Sequence, residues 1–146
     1  MSFYCTPEDI EKQVSTHTLI QLTNDNPNQE TVDTVVCEEA LIYSSTLIDG
    51  YLRGKYNLPL NTHFPLLRVI AIDLSIYRLF SRRIHTEIPD VIIENYKNAL
   101  KTLEQIKKGV ITLETEDNTQ LTSGGEYRTN KTNADRLFNK RKMNEY

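Results

Sequence analysis

Three histidines, two cysteines and a scatter of carboxylates are the side chains of this 146-residue chain that could bind a metal or attack a substrate. His17, His63 and His85 fall in separate segments, none with a second ligand at metal-binding spacing, and Cys5 and Cys37 stand thirty-two residues apart. Zinc sites draw on Cys or His pairs a few residues apart, so this spacing argues against one. Gly50 and Gly54 flank a Tyr-Leu-Arg run, and Gly124-Gly125 lack a following Lys-Ser/Thr. Neither is a phosphate-cradling loop. No Gly-x-Ser-x-Gly nucleophile elbow occurs. The chemistry-bearing residues therefore point to a protein that is not an enzyme and takes no metal or cofactor.

Asp73 is the carboxylate with the oddest setting. It lies inside the largely apolar run Leu66–Phe80, where an ionised side chain must be paired or hydrogen-bonded. With no second acid or histidine nearby, it reads as a buried structural carboxylate partnered by Arg53, Lys55 or a backbone amide, ahead of a general base. Asp49 reads as a capping or turn residue beside Gly50. Cys37 falls at mid-helix and reads as a small buried thiol.

Charge divides the chain. Through Gly125 there are eleven basic and seventeen acidic residues, net −6; from Glu126 onward six basic and three acidic, net +3. Residues 115–133 are Thr, Asn, Gly and Glu with almost nothing apolar, the composition of a linker. The expected organisation is a folded body over 1–114, a polar linker over 115–133 and a basic tail over 134–146. Within that tail Arg136, Leu137, Phe138, Arg141, Met143 and Tyr146 combine cations with apolar anchors. Such a segment can pair with phosphates and stack on bases, or order against a protein groove. A merely solvated terminus is the third reading, but solubilising tails usually lack apolar and aromatic residues, and of the three docking on protein is favoured. Two cysteines make no disulfide framework and suit a reducing compartment. Met1 is followed by mixed polar sequence, so no secretory leader is expected. Leu66–Phe80 is too short, and with Arg68, Asp73 and Arg78 too charged, to span a bilayer.

The elements that must position these residues are helical. Thr6-Pro7-Glu8-Asp9 is a helix start with a hydroxyl cap, a first-turn proline and acids at the positive dipole end. That helix runs to Val14, a further turn covers Thr18–Leu22, and 24–28 form a polar loop. A long helix follows from about Asn28 to Arg53, with Val32, Val36, Ala40, Tyr43, Leu47 and Tyr51 on one face. Ile42 falls on the opposite, polar side, a position that suits contact with another subunit. Gly50 and Gly54 loosen the end of this helix, so Asp49, Gly50, Tyr51 and Pro59 mark a structural bend. Leu66 to about Arg82 is apolar nearly all round and should be the central helix. Asp90–Lys108 carries the seam Ile92, Tyr96, Ala99, Leu103, Ile106, and Gly109 is placed to close it in the left-handed conformation. Val110–Leu113 fits either a short strand or an extended cover. The fold class expected is all-α, a small bundle of four to five helices with that short C-terminal segment and an extended arm.

Ile48-Asp49-Gly50-Tyr51-Leu52, Lys55-Tyr56-Asn57-Leu58-Pro59-Leu60 and Pro65-Leu66-Leu67 together resemble the head-to-tail connector (neck) proteins of Mu-like phages and prophages. The resemblance extends to Tyr4–Ile10, Leu19–Thr23, Ile72–Leu79, Tyr96–Gly109 and the ending with Arg136, Phe138 and Arg141. Lys55 and Ser75 depart from it, standing where arginine and alanine are expected. What the resemblance implies is a structural virion component at the head–tail junction, made and assembled in the host cytoplasm. It implies a homo-oligomeric ring below the portal protein, bridging it to the next tail component, with DNA passing through the ring. It also implies C-terminal arms that reach toward the portal. From the residues themselves, no membrane partner is expected, and the free chain should be monomeric or weakly associated. The reading from another class is a small helical DNA-binding or packaging module.

Overall fold

The apolar run after Pro65 becomes a helix buried round most of its circumference, and the rest of the molecule is laid out by the need to cover it. A computed structural model describes residues 2–113. These form α1 (Pro7–Val14), α2 (Thr16–Thr23), α3 (Thr34–Leu52), α4 (Pro65–Ser81) and α5 (Asp90–Lys108). No sheet forms among the described residues, and the architecture is all-α. α3 and α4 each touch every other helix, whereas α5 touches only those two. Ser75 faces Ser44 across α3–α4, and Tyr77 stacks on Tyr96 across α4–α5 with ring centroids 3.8 Å apart. α3, α4 and α5 thus run up, down and up, and α1 with α2 closes the remaining flank.

The core they share is aliphatic. Ile10, Leu19, Ile48, Leu52, Leu67, Leu74, Leu103 and Ile106 are fully buried. Each such side chain contributes roughly 1.5–3 kcal/mol of transfer free energy. One polar seam crosses it. The Ser75 hydroxyl donates to Ser44 Oγ at 2.9 Å and lies 3.4 Å from the Ala40 carbonyl, so the serine that stands in place of the expected alanine is satisfied.

The helices start and stop for identifiable reasons. Asp33 Oδ1 accepts from the Val35 and Val36 amides, so α3 begins at Thr34 rather than near Asn28. The Asn-rich stretch ahead of it spends its polar groups locally: Asn24 Nδ2 reaches the Thr31 carbonyl at 2.6 Å, and the Asn28 amide reaches Asn26 Oδ1. α2 is a two-turn helix, longer than the single turn expected. α3 passes through Gly50 without a break. The chain turns instead at Gly54, whose φ of +92° is the left-handed value that glycine adopts without strain. The bend thus falls after Asp49, Gly50 and Tyr51 rather than at them, because those three still hold helical hydrogen bonds, and Pro59 lies in the loop that follows.

Two arginine-centred contacts tie the flank to the bundle. Asp9 sits 6% exposed in the first turn of α1, takes the Thr6 amide on Oδ2 at 3.0 Å, and receives Arg68 of α4 on both oxygens. At the far end of α4, Arg82 Nη1 donates to the Leu22 and Thr23 carbonyls at 3.0 and 3.4 Å, and Arg83 donates to the Asn24 carbonyl. These are orphan acceptors of the α2 terminus. Arg82 and Arg83 also lie 3.2 and 3.7 Å from Asp25.

The Arg68 fork, together with the Thr6 amide, holds the Asp9 carboxyl at about 2 against an ordinary 3.8. A carboxylate whose folded pKa is depressed stabilises the fold fully above its unfolded value and loses that contribution as pH falls through the folded one. Asp9→Ala is expected to lower the unfolding free energy at neutral pH by at least the ~1 kcal/mol of a lost N-terminal cap. In urea titrations the gap to the unaltered chain should shrink as pH falls from about 4 toward 2. A gap that stays constant across that window would show that the ionised pair is not what anchors α1.

Candidate functional site

Among the described residues no three His, Cys, Asp or Glu side chains gather in a metal-holding group, and no helix is long and apolar enough to cross a membrane. Cys5 and Cys37 are buried free thiols, and burial pushes both up, Cys5 to about 11. A thiol so raised is mostly protonated at neutral pH and a poor nucleophile. The features that distinguish this molecule are surfaces: the bundle end where the chain leaves for its tail, and the outer side of α3.

At that end α3 and α5 finish side by side. Lys55 Nζ donates to the Ile106 carbonyl at 2.9 Å, placing a cation on the negative end of the α5 dipole. Gly109 adopts φ +83° and closes the helix, its amide bonding the Ile106 carbonyl while Val110 bonds Gln105. A Cβ at Gly109 would meet Lys55 Nζ at 2.8 Å, so a larger residue there would displace the lysine tip as well as strain the dihedral. Val110–Leu113 is no strand: Val110 and Ile111 bend back to bond the Gln105 carbonyl, Val110 stays exposed, and Leu113 is buried with its amide donating to the hydroxyl of fully buried Tyr56 at 3.0 Å. The cover wins because the three helix ends present a buried phenol and no sheet edge to pair with. Beyond Leu113 the chain continues toward Arg136, Leu137, Phe138, Arg141, Met143 and Tyr146, which lie outside the described residues, as does the 115–133 linker.

The outer side of α3 is the second surface. Ile42 is 40% exposed there, on the same ridge as exposed Val35, Glu38, Glu39, Thr46 and Gly50. Beside this ridge a groove of about 500 Å³ opens between α3 and α5, lined by Tyr43, Thr46, Leu47, Gly50, Tyr51 and Lys107. Nothing lies within 4 Å of where a Gly50 Cβ would sit, so this part of the surface is open. Cations border both tyrosines, with Arg78 5.2 Å from the Tyr43 ring centre and Lys107 6.0 Å from that of Tyr51. The neighbouring Tyr43 hydroxyl, with burial, raises Tyr96 to about 12. Asp49, expected to cap or turn the chain, instead accepts the Tyr4 hydroxyl at 2.5 Å and moors the N-terminal segment to α3. Burial and that carboxylate push the Tyr4 phenol far above its ordinary value.

Asp73 departs from expectation. It is half-buried rather than buried, and among the described residues it forms neither an ion pair nor a hydrogen bond. Lys55 is committed to the Ile106 carbonyl and Arg53 is exposed elsewhere, so partial desolvation raises the Asp73 carboxyl with no cation to offset it. The deeply buried carboxylate is Asp9. Its signal was present in the Thr6–Asp9 spacing of a capping box, but its guanidinium partner lies fifty-nine residues away.

Residues 4–131, which include all five helices, match the protein family described as Bacteriophage Mu, Gp36. Over 113 residues, 77% of this chain and 77% of the relative, the sequence is 29% identical to Mu-like prophage FluMu protein gp36 of Haemophilus influenzae.

Tyr56→Phe keeps the buried ring and removes the acceptor of the Leu113 amide. Leaving a buried N–H unpaired costs about 1–3 kcal/mol. The variant should therefore unfold at lower urea, and the Leu113 amide should exchange with solvent markedly faster. Unchanged exchange at Leu113 would mean that the cover is held by its apolar contact alone.

Proposed function

The chain belongs to the bacteriophage Mu gp36 family and is a phage protein, and from that premise we propose that it is a head–tail connector, a structural adaptor that works by assembly rather than catalysis. Copies form a ring below the portal protein, through which packaged DNA passes, and the ring offers the next tail component its seat. The chain acts at the head–tail junction of the virion after assembly in the host cytoplasm. The family match across 4–131 carries this reading.

The geometry supports it in three ways. The five helices make a rigid body whose polar network is spent on holding helix ends together rather than on a concave reactive site. Its exposed aliphatics include Ile42 on the ridge of α3, which we assign to contact between subunits. The chain leaves the body at a fixed point, with Leu113 held by Tyr56, so a basic and aromatic tail is delivered from a defined root. Leu137, Phe138, Met143 and Tyr146 would supply apolar anchors for the portal, and Arg136 and Arg141 the charge.

Mixing the purified chain with portal rings and imaging by electron microscopy tests the proposal. A second ring should dock, and deleting 135–146 should abolish docking while the helical circular dichroism is kept. Equal docking by the truncated form would overturn the role of the tail; failure of the whole chain to dock would overturn the connector reading. A salt-sensitive shift of duplex DNA at low micromolar protein would instead support the DNA-binding alternative.

A further inference from the structure

α4 leaves one stripe of its surface uncovered. Leu66 and Val69 are 39% and 56% exposed, and Asp73, one turn further on, is half-buried with no partner among the described residues. At 3.6 residues per turn the three fall within about 60° of one another. They lie on the side of α4 opposite Ser75, which faces α3. Neither base on α4 serves this stripe: Arg68 is forked onto Asp9, and Arg78 lies against the Tyr43 ring. Two aliphatics in water beside a partly desolvated carboxylate that no cation relieves make an unfilled contact. What fills it must carry apolar groups and a positive charge a short distance apart.

The chain's own tail has that make-up and is tethered within reach. α4 runs antiparallel to α3 and α5, so its first turns lie at the bundle end where Leu113 is fixed by Tyr56. Leu137 follows Leu113 by twenty-four residues, and a polar segment of that length covers about 25 Å end to end. Asp73 lies about 10 Å along α4 from Leu66. Phe138 and Arg141 are three residues apart, a span of at most about 10 Å. One short segment can therefore reach both the aliphatics and the carboxylate. The other surfaces suit it less. The α3–α5 groove is already bordered by Lys107 and Arg78, and Glu38 and Glu39 on α3 are exposed, so pairing them gains little. We propose that in the free chain the tail folds back onto its own α4, Leu137 and Phe138 covering Leu66 and Val69 while Arg141 pairs with Asp73. The contact is made within one molecule and does not depend on the connector reading. Its consequence rests on that reading: a tail held on its own body is released only when the portal offers it a tighter seat.

The full chain carrying Asn139→Cys, labelled at that thiol with a nitroxide, tests this, since both native thiols are buried. Amide signals of Leu66, Val69 and Asp73 should lose at least half their intensity, while those of Val35 and Ile42 are kept. Arg141→Glu, a change in the tail that leaves every body residue in place, should restore the α4 signals at least twofold. Asp73→Asn should do the same with circular dichroism unchanged. In an equal mixture of labelled chain and isotope-enriched unlabelled chain, the α4 signals of the enriched copies should keep their intensity. Broadening in that mixture, broadening that survives Arg141→Glu, or none on α4 at all overturns the proposal. Portal docking is measured separately on the whole chain, so a tail that never folds back can still dock, and one that does can still fail to.

Discussion

α4 is the constraint from which this structure follows. A seventeen-residue helix with Leu67, Ile70, Ala71, Leu74, Ser75, Ile76 and Leu79 buried cannot be covered by one neighbour. An amphipathic helix needs one partner face; a helix apolar on nearly all sides needs several. α3 and α5 supply the two long faces and α1 the third, so the chain wraps round a helix that sits near its middle in sequence. The hairpin connections before and after α4 then place the ends of α3 and α5 together, and Lys55 can cap both the turn and the neighbouring helix.

The arginines at the two ends of α4 hold the flanking helices, whereas Asp73 at its middle has no partner among the described residues. Arg68 reaches across to Asp9, and Arg82 and Arg83, just past its other end, close the terminus of α2. Both short helices are thus clamped by guanidinium groups from one element, which suits arginine because its fork satisfies two acceptors at once. α1 and α2 are each only eight residues, too short to be stable alone. Their order is borrowed from α4. Inside the bundle the Ser44–Ser75 bond is the counterpart: a polar pair that tolerates burial because each hydroxyl has an acceptor. Ser45 Oγ, close by, has no partner among the described residues.

Among the described residues the displaced groups have separate causes: the Arg68 pairing for Asp9, burial and Asp49 for Tyr4, the Tyr43 hydroxyl for Tyr96 and burial for Cys5. The well-formed surface features are an uncovered stripe on α4, a ridge bearing Ile42, an open groove beside that ridge and a fixed exit for the tail.

The sequence alone determined the all-α class, the central place of the apolar helix, the span of α5 and the left-handed Gly109, because periodicity, capping spacing and glycine chemistry are local. It also carried the family resemblance through the Asp49–Leu52 and Leu58–Leu60 segments. Tertiary structure decided the rest. Whether α3 began at Asn28 or Thr34 depended on Asp33 outcompeting a run of asparagines. Which carboxylate was buried depended on Arg68, fifty-nine residues from Asp9, while Asp73 was left half in water without a cation. Whether 110–113 paired as a strand depended on Tyr56 offering its hydroxyl. Each of these turns on which distant group arrives within hydrogen-bonding distance, and that is a property of packing, which residue spacing along the chain does not encode.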